Sequence, residues 1–221
     1  MNKIHILLLL IPLIMAACSP KATRVATYAQ LYEEKPVSIM IMPPINKSTE
    51  VDAKMCFYNT LAMPLADYGY YALPPSISMQ VMKDQSAYNS EMLLDKSMKV
   101  VNTALGADAV LFTIIHEWRK VTIGSMVEVK IEYLIKSTKT NEVLYNRTGI
   151  VKVQSSSNTG NIFADLAVMM IKTAFTKEVT VARACNDYTF TDIPRGKYSI
   201  LHGKDQQSPA GEKEFSVTLS Q

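Results

Sequence analysis

The sequence predicts an α/β domain in which a mixed β-sheet is flanked by helices, and three observations carry this prediction. Two short apolar runs, 37–42 and 107–115, are typical of strands that are buried on both faces. A helical stretch and Gly106 precede the second run, which is the order found in a βαβ unit. In 127–133, apolar and charged residues alternate instead, which predicts an antiparallel strand with one solvated face.

The remaining elements follow from the spacing of apolar residues and from turn signals. The region 52–67 has apolar residues at helical spacing, so we predict a helix that Gly69 ends and in which Pro64 either makes a kink or starts the last turn. The run 70–73 predicts a strand closed by prolines. Further helices are predicted over 77–83, 91–105 and 162–184, and further strands over 143–145, 148–153, 198–201 and 214–219.

The chain begins with the layout of an exported protein. Lys3 provides a short positive start, residues 4–14 are almost wholly apolar, and two alanines stand directly before Cys18. This order predicts a signal peptide over 1–17, because the apolar run is too short to span a bilayer as a helix. An ordinary signal peptide, or a membrane segment beside a chance cysteine, is the alternative.

The cysteine at the cleavage point resembles a bacterial lipobox. That resemblance implies that diacylglycerol is attached to the Cys18 thiol and a fatty acid such as palmitate to the new amine. Several acyl chains hold a protein firmly, since each buried CH₂ contributes about 0.8 kcal/mol. Ser19, rather than Asp, favours the outer membrane in the usual sorting rule. We therefore expect a lipidated tether over 18–35 and a domain in the periplasm.

Composition is that of a folded chain with no dominant charge. Removing 17 of the 221 residues leaves 204, enough for one domain with a sizeable core. The formal net charge is +3, falling to about +2 without Lys3, so nothing points to a nucleic acid partner. We predict that 36–185 forms the α/β domain and that 186–221 is a C-terminal extension.

Two cysteines remain beyond the lipobox, Cys56 and Cys185. An even pair in an exported protein suggests a disulfide, because the compartment is oxidising. The alternative is two separate buried thiols, since free cysteine often packs as a small hydrophobic residue.

The sequence offers little for catalysis. No paired metal-ligand spacing, nucleophile elbow or phosphate-binding loop is present, so we predict no catalytic residue, no metal and no cofactor. The alternatives are a hydrolase with a site around His116, Asp108 and Glu117, and a small-ligand or lipid-binding module. The latter would use the 13 methionines, which also serve as ordinary core residues.

Three motifs together suggest a family. They are VSIMIMPP at 37–44 with Asn46 after it, PLADYGYY at 64–71 with a proline after it, and GADAVL at 106–111. With the lipobox, their order resembles a family of bacterial outer-membrane lipoproteins, the GNA-type antigens, which is classified as a domain of unknown function. The resemblance covers about 18–184.

That resemblance implies a fold similar to the N-terminal domain of TolB and to the periplasmic domain of the curli secretion lipoprotein. It also implies partners, because family members tend to be encoded beside a curli-secretion-like lipoprotein and a second small lipoprotein. The curli lipoprotein forms a ring, which leaves a homo-oligomer open for this chain. No catalytic residues are known for the family, so none are transferred.

The hypothesis that results is a non-enzymatic, protein-binding component of an envelope or secretion complex, anchored at the outer membrane. Its candidate partner-binding loop is Pro43, Pro44 and Asn46, because open α/β sheets place binding sites at the carboxyl ends of strands. The same residues also have a structural interpretation, in which they shape a strand-to-helix loop.

Overall fold

The structure is a computed structural model that describes residues 21–84, 89–121, 126–154 and 178–220. The predicted signal peptide, Cys18 and most of the predicted helix over 162–184 lie outside these residues. No helix in the described ranges is long and apolar enough to cross a membrane.

Seven helices and seven strands are named in chain order within the described residues. The helices are α1 (Arg24–Thr27), α2 (Ala29–Glu34), α3 (Ala53–Thr60), α4 (Ala62–Asp67), α5 (Pro75–Asp84), α6 (Lys99–Leu105) and α7 (Glu178–Phe190), with a 3₁₀ turn at Ser90–Leu93. The strands are β1 (Ser38–Ile41), β2 (Ile45–Asn46), β3 (Tyr71–Leu73), β4 (Ala109–Val121), β5 (Met126–Ser137), β6 (Val143–Gln154) and β7 (Glu214–Ser220).

All seven strands form one mixed sheet. Its order is β3-β1-β4-β5-β6-β7, and β2 pairs with β4 beyond the end of β1. The pairs β1–β3, β1–β4, β2–β4 and β6–β7 are parallel, whereas β4–β5 and β5–β6 are antiparallel. The predicted fold class, a mixed sheet flanked by helices, is confirmed.

The core lies on both faces of this sheet. Leu111 and Ile115 of β4 belong to the cluster beneath α3, α4 and α7. Val110 and Phe112 belong to the cluster on the opposite face, beneath α5 and α6. Alternating residues of one strand point to opposite faces, so the continuous apolar run in β4 is explained by a layer of helices on each side.

The antiparallel strands are longer than predicted. β4 continues six residues past Ile115, through a bulge between Ile115 and Glu117. In this second half Trp118 is buried while Glu117 and Arg119 are exposed. The apolar run ends where one face becomes solvated, but the strand does not end there.

The proline pair 43–44 interrupts a ladder that then resumes. β1 follows β4 as far as Ile41, which pairs with Leu111. The chain then returns to the same edge of β4, where Ile45 pairs with Ile114. Neither proline can donate to a ladder, so the prolines separate β2 from β1.

Two predicted helices are broken. The helix over 52–67 is divided at Leu61 into α3 and α4. Pro64 explains the position, because its ring clashes with the carbonyl four residues earlier, that of Thr60. The helix over 91–105 is reduced to the Ser90–Leu93 turn and α6.

The predicted tether and C-terminal extension both belong to the domain. Tyr28 and Leu31 of the tether are buried in the main core. The boundary predicted after Cys185 lies inside α7, and β7 completes the sheet. The predicted division of the chain therefore differs from the structure, because the two ends fold against the body and against each other. The strand predicted over 198–201 is wrong, since those residues form turns.

Candidate functional site

The structure encloses the two prolines of the candidate partner-binding loop. Pro43 and Pro44 are buried. The Pro43 carbonyl oxygen accepts a hydrogen bond from the Ser90 hydroxyl at 2.6 Å. This contact fixes the path of the chain between β1 and β2, which is what the structural interpretation of these prolines requires.

Asn46 is half-buried and closes a turn within the chain. Its Oδ1 accepts hydrogen bonds from the Ser48 amide at 3.0 Å and the Ser48 hydroxyl at 2.7 Å. Its Nδ2 donates to the Glu50 carbonyl at 2.7 Å. The solvent-facing part of this loop is Lys47 and Thr49.

The residues of the hydrolase alternative are not brought together. Asp108 directly precedes β4 and His116 lies eight residues further along, which is about 26 Å at the rise of an extended strand. His116 Nε2 lies 2.9 Å from a carboxylate oxygen of Glu132, on the neighbouring strand. Within the described ranges, no group of three or more His, Cys, Asp or Glu residues could hold a metal ion.

Asp108 has a structural role. Its Oδ2 accepts hydrogen bonds from the backbone amides of Val37 at 3.0 Å and Ser38 at 3.2 Å, and its Oδ1 lies 2.9 Å from Lys139 Nζ. Partial burial acts to raise the pKa of this carboxyl, but the hydrogen bonds from Lys139, Val37 and Ser38 outweigh it and hold the pKa below its usual value. The carboxylate therefore pins the start of β1 to the start of β4.

Three cavities in the described ranges do not match a methionine-lined ligand site. One of about 270 Å³ lies between α2 and the Gly196 loop and is lined in part by Tyr32, Tyr70 and His202. Two others, of about 200 and 260 Å³, lie along β6. All three are smaller than the roughly 300 Å³ at which small-molecule sites begin, and no methionine lines any of them.

Cys56 and Cys185 lie on α3 and α7, and both are free thiols in the structure. Cys185 is fully buried, and burial raises the pKa of its thiol well above the ordinary value. Burial, and then the nearby carboxylates of Glu178, Asp52 and Glu50, raise the pKa of the Cys56 thiol. Neither thiol is therefore tuned for nucleophilic chemistry.

We expect iodoacetamide at pH 8 to modify Cys56 slowly in the folded protein and Cys185 only after unfolding, because a buried thiol is both protonated and inaccessible. Mass spectrometry of the labelled peptides, with and without denaturant and without reductant, measures this. If neither cysteine is labelled in denaturant until a reductant is added, the two are joined by a disulfide.

The edge strand β7 is held against β6 by an aromatic ring. The two strands pair in parallel from Thr148 opposite Glu214 to Gln154 opposite Ser220. The Phe215 ring lies directly over Gly149, in the space that a side chain would fill. An isolated glycine in a strand pattern is the sequence signal for such a close approach, but it does not identify the residue that approaches.

A buried arginine supports the same ring. The Arg147 guanidinium lies 4.3 Å from the centre of the Phe215 ring. It donates hydrogen bonds to the carbonyls of Thr189 at 2.8 Å and Glu212 at 3.0 Å. The side chain is only 4% exposed, so it joins β6, the end of α7 and the start of β7 into one rigid unit.

Half of the backbone groups of β7 point away from the sheet. The Lys213 carbonyl accepts a hydrogen bond from the Thr148 amide at 2.9 Å, so the backbone groups of Lys213 face β6. By the two-residue period of a strand, those of Phe215, Val217 and Leu219 also face β6. The outward groups therefore belong to Glu214, Ser216, Thr218 and Ser220.

The two ends of the chain are joined by charged side chains. Arg24 lies 3.3 Å from the Asp205 carboxylate and 3.7 Å from that of Asp192. The Tyr28 hydroxyl donates a hydrogen bond to Asp192. The Arg24 and Val25 amides donate to the carbonyls of Ser208 and Gln206 at 2.9 and 3.1 Å. Both carboxylates are almost fully buried, so this network fixes α1 against residues 191–208.

Comparison with known proteins places the chain among lipoproteins. It is 25% identical over 151 residues to "Putative lipoprotein NMB1124/NMB1162" of Neisseria meningitidis serogroup B, covering 67% of this chain and 69% of the relative. The crystal structure of lipoprotein GNA1162 from Neisseria meningitidis is 22% identical with a TM-score of 0.49, covering 63% of this chain and 99% of that one. PelC from Paraburkholderia phytofirmans, a dodecamer, is 13% identical with a TM-score of 0.45, covering 79% and 93%.

The resemblance suggested by the three motifs is confirmed over most of the sequence. The family model described as "Putative lipoprotein GNA1162-like" matches residues 26–207, which includes α2 to α7, all strands but β7, and the Asp205 carboxylate. The chain belongs to the GNA1162-like lipoprotein family.

Proposed function

We propose that this protein is a non-enzymatic component of the bacterial envelope, held at the outer membrane by lipid on Cys18, that binds a protein partner at β7. The observation that carries the binding proposal is the outer edge of β7, because no strand pairs with it among the described residues. The family, whose members are described as lipoproteins, supports the anchoring.

The edge has the properties needed for strand addition. Exposed edges are usually blunted by proline, lysine or bulges, yet 214–220 contains no proline and no lysine, and Glu214 is its one charge. Its side chains alternate between half-buried and exposed along seven residues. An extended segment of a partner would pair with the outward amides and carbonyls of β7. Its side chains would then alternate between the two faces of the sheet.

The motif resemblance makes a curli-secretion-like lipoprotein the first partner to test. The second small lipoprotein and another copy of this chain are the other candidates. All three would meet this protein in the same compartment.

We expect Thr218→Pro to abolish capture of the partner while leaving the fold intact. The lost amide points away from β6, so no hydrogen bond of the ladder disappears. Crosslinking in intact cells, purification from the outer membrane and mass spectrometry measure the capture. Wild-type levels of the partner with Thr218→Pro would contradict binding at this edge.

The matched control is Val217→Pro, one residue earlier on the same strand. Its amide faces β6, so this variant is expected to lose a ladder hydrogen bond and to unfold at lower urea concentration. If both variants are equally destabilised, a Ser216→Pro variant, whose amide also points outward, repeats the test at a second position.

We expect labelled palmitate to enter the wild-type protein and not a Cys18→Ala variant, because the thiol is the site of lipid attachment. Cell fractionation should then find the wild type, but not the variant, in the outer membrane. Label that still enters Cys18→Ala would overturn the anchoring proposal without affecting the test at β7.

A further inference from the structure

A turn after Gly196 exposes three large apolar side chains in a short stretch. Residues 197–204 read KYSILHGK. Ile200 is 88% exposed, Tyr198 66% and Leu201 44%. Single exposed apolar residues are common, whereas a cluster on a turn marks a surface that meets a partner or a lipid phase.

Hydrogen bonds hold this turn in shape. The Ser199 amide donates to the Gly196 carbonyl, that of His202 to the Ser199 carbonyl, and that of Lys204 to the Leu201 carbonyl, each at 3.0 Å. The turn therefore presents its apolar side chains from an ordered backbone, which reduces the conformational entropy lost on binding.

The base of the turn is fixed to the domain. Asp205 Oδ2 accepts a hydrogen bond from the Arg195 amide at 2.8 Å and also contacts Arg24 at 3.3 Å. The same carboxylate therefore closes the turn and attaches it to α1.

The charge of the turn suits an anionic surface. Lys197 and Lys204 flank the apolar residues and both are exposed. Residues 197–204 contain no aspartate or glutamate. The nearest carboxylate in the sequence, Asp205, is buried and paired with Arg24.

The tether places this turn close to the lipid. Cys18 lies six residues before Arg24, and six residues span at most about 22 Å. Arg24 contacts Asp205, at the base of the turn. In a chain acylated at Cys18, the Arg24 Cα atom therefore lies within about 22 Å of the lipid-bearing residue, and the base of the turn lies one arginine side chain beyond it.

We propose that the turn 197–204 lies against the outer-membrane surface, with Tyr198, Ile200 and Leu201 in the interfacial layer and Lys197 and Lys204 at the lipid phosphates. This proposal rests on the lipid anchor proposed above. Tyrosine is favoured where one end of a side chain is apolar and the other wet, and lysine stems cross the interface with the ammonium in water. The contact orients the domain, so that β7 has a fixed direction relative to the membrane.

The test places an indole in the turn of the full lipidated protein. Ile200→Trp is reconstituted into vesicles of phosphatidylethanolamine and phosphatidylglycerol, with and without brominated acyl chains that quench nearby tryptophan. The native Trp118 is 6% exposed and serves as the internal background. The control is Val51→Trp, at a position that is 83% exposed and lies beyond β2, at the other end of β1 from the turn.

We expect the emission added by Ile200→Trp to shift to the blue and to lose most of its intensity in brominated vesicles, while that of Val51→Trp is unchanged. Substitution of Lys197 and Lys204 by Glu should reduce the quenching at position 200. No quenching of Ile200→Trp in protein that floats with the vesicles overturns the proposal and leaves the anchor intact. Wild-type protein that does not float with the vesicles overturns both.

Discussion

Gly69→Ala is expected to lower the free energy of unfolding by about 3 kcal/mol. Gly69 has a φ of +87° and faces backbone: a Cβ there would meet the Ser199 amide nitrogen, and would lie 2.9 Å from the Gly196 carbonyl oxygen. The left-handed conformation costs a side chain about 1–2 kcal/mol, and the clash adds to it. Urea unfolding of the chain expressed without residues 1–18 measures the loss.

Two other glycines distinguish the cost of the left-handed conformation from the cost of the clash. Gly106 and Gly203 also have positive φ, +65° and +72°, but nothing lies within 4 Å of a Cβ at either position. Alanine at each should therefore cost only about 1 kcal/mol. If Gly69→Ala costs no more than these controls, the close approach between the Gly69 and Gly196 loops does not constrain the fold.

Gly149→Ala is expected to cost about 2 kcal/mol and to weaken the attachment of β7, because the new methyl group occupies the space of the Phe215 ring. The ring must leave the contacts that it makes with Gly149 and Arg147. Partner capture should fall together with stability, since the binding edge is the outer side of the same strand. Hydrogen exchange of the 214–220 amides, which should quicken more than that of β5, localises the effect.

A double-mutant cycle identifies the cause. Phe215→Ala alone removes the ring and should cost about 2 kcal/mol, but the addition of Gly149→Ala to it should then cost almost nothing. The interaction energy of the pair is therefore about 2 kcal/mol. Additive costs would show that Gly149 matters for its backbone and not for the ring above it.

The elements that were predicted correctly from the sequence are those whose order of apolar and polar residues reflects how the element itself is buried. The apolar runs of β1 and of the first half of β4, the strand at β3 and the alternation in β5 all follow from burial on one or both faces. Burial on both faces indicated parallel pairing and burial on one face indicated antiparallel pairing, so the fold class could be predicted without a structure.

The errors concern residues whose state depends on distant parts of the chain. Tyr198, Ile200 and Leu201 have the composition of a buried strand, yet they lie on an exposed turn. This turn directly follows Gly196, whose backbone packs closely against that of Gly69. Pro43 and Pro44 suggested a contact surface, yet both are buried, and the Pro43 carbonyl accepts a hydrogen bond from Ser90. Composition shows that a residue is apolar, and only the complete fold shows what covers it.

For β7 the strand itself was predicted from the sequence, but its position at the edge of the sheet, beside β6, was not. Residues 214–219 could have paired on either edge of the sheet or stayed apart. Phe215 over Gly149 and Arg147 at the Glu212 carbonyl decide the position, and these contacts join residues more than 60 positions apart.

The network between Arg24 and Asp205 closes a loop of 181 residues, and this fixes an order of events for a chain synthesised from its N-terminus. Arg24 is made early and finds its partners last, when Asp205 and Ser208 have been added. Tyr28 can pack against Tyr145 and donate to Asp192 before then, but the contacts of Arg24 and Val25 with Asp205, Gln206 and Ser208 are still missing, and closure of so long a loop is slow. The chain therefore completes its fold only after almost all of it has been made, and a chain stalled before Asp205 would leave α1 open to proteases and chaperones.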